Sequence, residues 1–229
     1  MASPNAEKVI PYALLGMTAV TGLVDAVSFL SLGHVFTANM TGNIVFLAFA
    51  AAHVPGLSIA RSLTALLAFL VGAILGGRIM ARASADSQIR FAAQAFLLEV
   101  ALLFAASLCA IGYCGDSLEN SFQPFALIAL TALAMGTRNA AVRKLAIPDL
   151  TTTVLTLTIT GIGADSSLAH GNNPRLARRV AAVAAMFLGA ALGAVVIHYS
   201  ILAALGLASA ISAVCSVVLF RSGPTADKR

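Results

Sequence analysis

Hydrophobicity along this chain comes in long uninterrupted blocks rather than alternating faces. Runs of about 20 apolar residues, the length a helix needs to cross a hydrocarbon core, fall at roughly 11–32, 62–81, 91–113, 124–142, 179–198 and 200–220. Two further apolar pieces, at about 42–53 and 151–162, are too short to cross; at about 1.5 Å rise per residue each predicts a half-membrane helix. The pattern predicts an all-α, polytopic membrane protein with six transmembrane helices plus two re-entrant half-helices.

The polar interruptions of these blocks match between the two halves. Gly22-x-x-Asp25-Ala26 is followed by Phe36-Thr37-Ala38-Asn39-Met40-Thr41-Gly42-Asn43, and Gly136-x-x-Asn139-Ala140 by Asp149-Leu150-Thr151-Thr152-Thr153. The first members correspond at a constant shift of 114 (22 to 136, 25 to 139, 26 to 140), while Arg61, Gly72 and Gly76 fall on Arg178, Gly189 and Gly193 at 117. One three-residue insertion reconciles the two shifts. The chain reads as a single membrane domain, 1–229, made of a repeat at about 10–113, a second at about 124–220, and a tail at 221–229. Repeats that place Gly-containing polar breaks at matching points of two hydrophobic halves point to a solute site inside a membrane protein.

Composition excludes a soluble reading. Hydrophobic residues make up 59% and charged ones 10% of the chain, with a mean hydropathy of +0.94, where a soluble domain carries roughly 25% charged residues. The net charge of +5 sits in short clusters between apolar runs, without the aromatic or basic-helix pattern of a nucleic-acid binder. Those clusters set topology instead. If both short pieces turn back, 13 of the 14 basic residues share one side and Arg61 stands alone opposite; if both cross, the split is 8 against 6. The positive-inside rule selects the re-entrant arrangement. Both termini are then cytoplasmic, the loop at 116–123 lies outside, and the two halves form inverted-topology repeats. The run at 11–32 is too long for a signal-peptide core, contains Asp25 and lacks a small-x-small cleavage site, so it reads as a retained first span.

Re-entrant backbone must be buried in protein or line a wet path, because each unpaired N–H or C=O costs several kcal/mol in hydrocarbon. The first half is expected to turn at 39–43 and climb as a short helix to about 52. In the second, Ile147-Pro148 ends the preceding element, Asp149 is the expected N-cap, and the short helix runs from 150 to about 160, closed by Gly161 and Gly163. Two helix N-termini then converge at mid-membrane, which favours an anion or a neutral polar solute. The candidate substrate-binding residues are Asp25, Asn39, Thr41, Gly42, Asn43, Asn139, Asp149, Thr151, Thr152, Thr153 and Thr156. Helix capping is the competing role for each Thr and Asn.

A carboxylate within a span costs roughly 2.5–3.5 kcal/mol on insertion scales, which singles out Asp25 and Glu99. Asp25 serves either as a protonatable coupling site or as a cap for the neighbouring half-helix. Glu99 either carries protons or pairs with Arg78 or Arg138, and the charge pair is the favoured reading. Gly72-x-x-x-Gly76 and Gly189-x-x-x-Gly193 allow close helix packing. The two equivalent spans are expected to cross each other, with a homodimer contact as the competing use. No cofactor or metal is expected: His34, His53, His170 and His198 are dispersed, and Cys109, Cys114 and Cys215 match no ligand spacing.

The run from Gly22 through Asp25-Ala26, Phe29, Gly33, Val35-Phe36 and Ala38-Asn39-Met40-Thr41-Gly42-Asn43, with Arg138-Asn139-Ala140 and Thr151-Thr152-Thr153 later, resembles the YoaK-type family of bacterial inner-membrane proteins. The resemblance spans nearly the whole chain, and the Asn-Met-Thr-Gly-Asn core is its most specific part. Arg138 stands where that family leads one to expect Gln. The family is a domain of unknown function, so the resemblance implies a polytopic protein of the bacterial inner membrane and supplies no substrate.

The leading expectation is a transporter or channel for a small polar or anionic solute, with membrane lipid and solute as its partners and no nucleic acid. An enzyme is not expected. A rhomboid-like protease needs a Gly-x-Ser nucleophile near a His, which Ser28 lacks, and an intramembrane aspartyl protease needs two facing Asp residues where only Asp25 qualifies. A non-transporting scaffold or sensor is the alternative.

Overall fold

The computed structural model describes residues 4–84, 87–113 and 122–222, with side chains from residue 9 onward. Most of the acidic loop at 116–123, Cys114, and Lys228 and Arg229 of the tail lie outside the described residues. Within them the chain is helical, without strands: α1 (Pro4–Ser31), α2 (Met40–Ala51), α3 (Ile59–Ala81), α4 (Gln88–Cys109), α5 (Gln123–Leu145), α6 (Thr156–Ala164), α7 (Leu176–Ile197) and α8 (Ile201–Ser222). Six of these are long and apolar enough to cross a membrane, and α2 and α6 are the short pieces. The spans end where polarity returns. α5 runs to Leu145, past the expected 142, because Arg143 and Lys144 in its last turn suit the negative end of the helix dipole.

The second short helix departs from expectation. It starts at Thr156, not at 150, and Gly161 and Gly163 lie inside it rather than closing it. The intervening stretch cannot be helical, since Asp149 (φ 64°) and Thr152 (φ 63°) both adopt the left-handed conformation. Asp149 caps nothing. Its carboxylate instead pairs with Arg175 Nε at 2.5 Å and Arg179 Nε at 3.0 Å.

Packing follows one scheme in both halves. α1 lies on α7 and α3 on α5; α4 lies on α8, with α4 also against α5 and α1 against α8; α2 touches α3 and α6 touches α7. The glycine pairs do not bring α3 and α7 together, which have no contact among the described residues. Each lies instead on the first helix of the other half. A Cβ on Gly72 would run into the Leu133 carbonyl of α5, and one on Gly189 into the Ala19 carbonyl of α1. Reciprocally, a Cβ on Gly136 would strike the Phe69 carbonyl, and one on Gly22 the Met186 carbonyl. Small residues on both partners let these backbones approach closely. The matched contacts keep the register read from the sequence, 19 to 133 and 22 to 136 on one side, 69 to 186 and 72 to 189 on the other.

The core divides in two along the bundle. One apolar cluster holds Val20, Leu23 and Val24 of α1, Leu103 of α4, Met135 of α5 and Ala208 of α8. The other holds Leu14 and Met17 of α1, Phe96 of α4, Ala141 of α5 and Cys215 of α8. Where each helix passes from one cluster to the other it carries a buried polar residue: Thr18 and Thr21, Glu99, Arg138, and Ser212.

Candidate functional site

Arg138 organises that polar level. Its side chain is fully buried, with Nη1 donating to Glu99 Oε1 at 3.1 Å and to the Met17 carbonyl at 2.9 Å. Ser212 adds a hydroxyl to Glu99 Oε1 at 3.0 Å. A buried cation of this kind needs its charge answered, and Glu99 supplies the counter-charge, while Arg138 Nε and Glu99 Oε2 have no hydrogen-bond partner among the described residues. Arg138 Nη2 reaches the Thr21 hydroxyl at 2.5 Å, and Thr21 donates to the Thr152 carbonyl at 2.8 Å. The loop before α6 is thereby held against the middle of α1.

Asp25 lies one turn further along α1, toward its C-terminal end. Its Oδ1 accepts the backbone N–H groups of Thr37 (3.2 Å) and Ala38 (3.0 Å), just ahead of α2. Oδ2 has no hydrogen-bond partner among the described residues. Asn43 fixes the same turn: its side chain accepts the Phe36 N–H at 2.9 Å and donates back to the Phe36 carbonyl. Phe36 stacks on Phe29 at 5.1 Å and on Phe46 at 5.7 Å. Gly42 is required here, because a Cβ would press on the Phe36 ring.

These elements line an open cavity of about 530 Å³. Its walls are Gly22, Asp25, Ala26, Phe29 and Leu30 of α1, Phe36 and Asn39 before α2, Thr153 and Leu155 before α6, Thr156 and Ile159 on α6, and Met186, Ala190 and Ala194 of α7. A second cavity of about 590 Å³ lies on the α3–α5 pair, lined by Phe69, Ala73, Gly77, Asn139, Ala140, Arg143 and Lys144. Its lining corresponds to the first: Asn139 answers Asp25, Ala140 answers Ala26, and Arg143 and Lys144 stand where the first cavity has Phe29 and Leu30. A third, of about 380 Å³, touches both, sharing Thr153 with the first and Asn139 and Arg143 with the second.

The candidate residues are thus distributed. Asp25, Asn39, Thr153 and Thr156 meet at one cavity, while Asn139 belongs to the other two. Thr41 is exposed on α2, Thr151 donates to the Val154 carbonyl at 2.7 Å, and Thr152 is buried beneath Thr21. Asp149 sits apart in an ion-pair group in which Arg179 also reaches Asp165 at 2.7 Å and the Gly161 carbonyl at 2.5 Å. Partial burial works against its charge, but the hydrogen bonds from Arg175 and Arg179 hold the Asp149 carboxyl below its ordinary range. Thr21, Ser212, Phe29, Phe36 and Met186 had no place among the candidates. The only signal for Thr21 and Ser212 was a hydroxyl near the middle of an apolar span.

A family model described as "Protein of unknown function (DUF1275)" matches residues 13–218. Over 156 residues, 68% of this chain, the sequence is 37% identical to the "UPF0700 transmembrane protein YoaK" of Bacillus subtilis (strain 168). That match covers 65% of the relative's length. No solved structure gives a significant match.

Proposed function

We propose that this chain, which belongs to the DUF1275 family of proteins of unknown function and carries, among its described residues, six helices long and apolar enough to cross a membrane, is a transporter or channel for a small polar solute in the bacterial inner membrane. One observation carries the reading: the residue before α2, Asn39, and the first residue of α6, Thr156, line one cavity together with the Asp25 carboxylate.

Depth along α1 supports two half-helices that dip into the bilayer from opposite sides. The Thr37 and Ala38 amides meet Asp25, six residues or about 9 Å before the end of α1 at Ser31, and the Thr152 carbonyl meets Thr21, about 15 Å before it. Chain that leaves one helix at the bilayer surface and returns to such depths lines protein, not lipid. The matched glycine crossings and the 13-to-1 basic asymmetry support inverted-topology repeats with both termini cytoplasmic.

The test is flux. Purified protein in proteoliposomes is screened against a broad panel of radiolabelled polar solutes, expecting uptake of one class that Asp25→Asn and Thr153→Val abolish while the protein stays folded. Correctly folded protein that moves no solute, and that no solute stabilises thermally, favours a scaffold or sensor instead.

A further inference from the structure

Resting on that reading of the cavity, the geometry points to its ligand class: we infer that the site takes a small organic cation, an ammonium group carrying a modest apolar body. The charge inventory is the first reason. Among the residues lining the cavity, Asp25 is the one ionisable side chain. Its Oδ1 is engaged by the Thr37 and Ala38 amides, which leaves Oδ2 for whatever occupies the space. No basic side chain is on the lining, and the buried Arg138 deeper along the bundle has Glu99 as its direct ion-pair partner.

Helix ends alone would favour an anion, but here they are offset. The amides leading into α2 point at Asp25, so the positive end of that helix is met from inside the protein. What remains is the start of α6, worth about half a charge, against a full carboxylate. An anionic solute would have to approach an unpaired like charge in a weakly screened setting.

The remaining walls suit an ammonium. Asn39, Thr153 and Thr156 bring neutral oxygens that can accept its other N–H donors. Phe29, Phe36 and Met186 offer polarisable surface, the chemistry that attracts a cation and its alkyl body together. A transition-metal ion is not provided for, because the described residues hold no cluster of three His, Cys, Asp or Glu side chains. At about 530 Å³ the cavity has the size of an organic-ligand site.

Three probes of matched size separate the classes: n-butylammonium, butyramide and butyrate, each titrated into purified full-length protein in detergent, with melting temperature and calorimetric binding as readouts. The expected result is saturable stabilisation by butylammonium alone, weakened roughly thirtyfold or more in Asp25→Asn. Thr156→Val, which leaves the Asp25 hydrogen bonds untouched, should weaken it by several fold, and this second variant stands in should Asp25→Asn fail to fold. Binding of butyramide or butyrate in preference to butylammonium overturns the inference and leaves the polar-solute reading standing. Binding of none overturns the inference, and the uptake screen then decides the broader reading separately.

Discussion

The Arg138 guanidinium and the Thr21 hydroxyl lie 2.5 Å apart between two helices, α5 and α1, that have little other contact. Through Thr21 the same cation holds the Thr152 carbonyl, so one buried charge fixes both the centre of the bundle and the loop that opens onto the cavity. Thr21→Val removes both hydrogen bonds at nearly constant volume. It should destabilise the protein by about 1–3 kcal/mol, read as a lower melting temperature, and should raise protease sensitivity within residues 147–155.

Arg138 and Glu99 form a fully buried pair. Replacing one partner leaves an uncompensated buried charge, so Arg138→Gln or Glu99→Gln alone should each cost about 3–5 kcal/mol. The double variant should cost less than either single one. Additive losses in the double-mutant cycle would show that the two charges do not stabilise each other.

Glycine positions divide by what a Cβ would meet. Gly72→Ala and Gly189→Ala drive a methyl into a facing carbonyl and should each lower stability by about 1–3 kcal/mol. Gly77→Ala, on the same helix as Gly72 but facing open space, should be neutral or slightly stabilising. Equal effects at Gly72 and Gly77 would contradict the assigned crossing of α3 and α5.

Asp149 gives the protein an acid-sensitive element. Because its folded-state pKa is depressed, its contribution is present above the unfolded value of about 3.9 and disappears as pH falls through the lower, folded value. Wild type should therefore melt higher than Asp149→Asn at neutral pH, and the two should converge in strong acid. A difference that persists unchanged to the lowest pH would assign the effect to packing.

Topology can be read chemically. In a background without native cysteines, Val54→Cys between α2 and α3 should react with an impermeant maleimide from outside the cell. Asn172→Cys, between α6 and α7, should react only after permeabilisation. Both residues are exposed. Labelling of both from one side removes the half-helix arrangement.

The six spans were legible because run length against bilayer thickness is a local, one-dimensional signal. So was the spacing of Gly72, Gly76, Gly189 and Gly193. Their partners were not, since a small-residue face says that something approaches closely without saying what, and the answer lay in Gly22 and Gly136 on α1 and α5. The start of α6 was misread for a related reason. Asp149 after Pro148 has the local look of an N-cap, but its partners Arg175 and Arg179 lie 26 and 30 residues away. At the cavity, Asp25 and Asn39 stood out as polar residues in apolar surroundings, whereas Phe29 and Met186 are indistinguishable in sequence from lipid-facing residues.

The buried polar level between the two apolar clusters bears on how the molecule can move. The Thr21, Glu99, Arg138 and Ser212 connections bridge α1, α4, α5 and α8 at one level and are fixed in both distance and direction. Any rearrangement that keeps those bonds has to turn about that plane rather than pull the four helices apart.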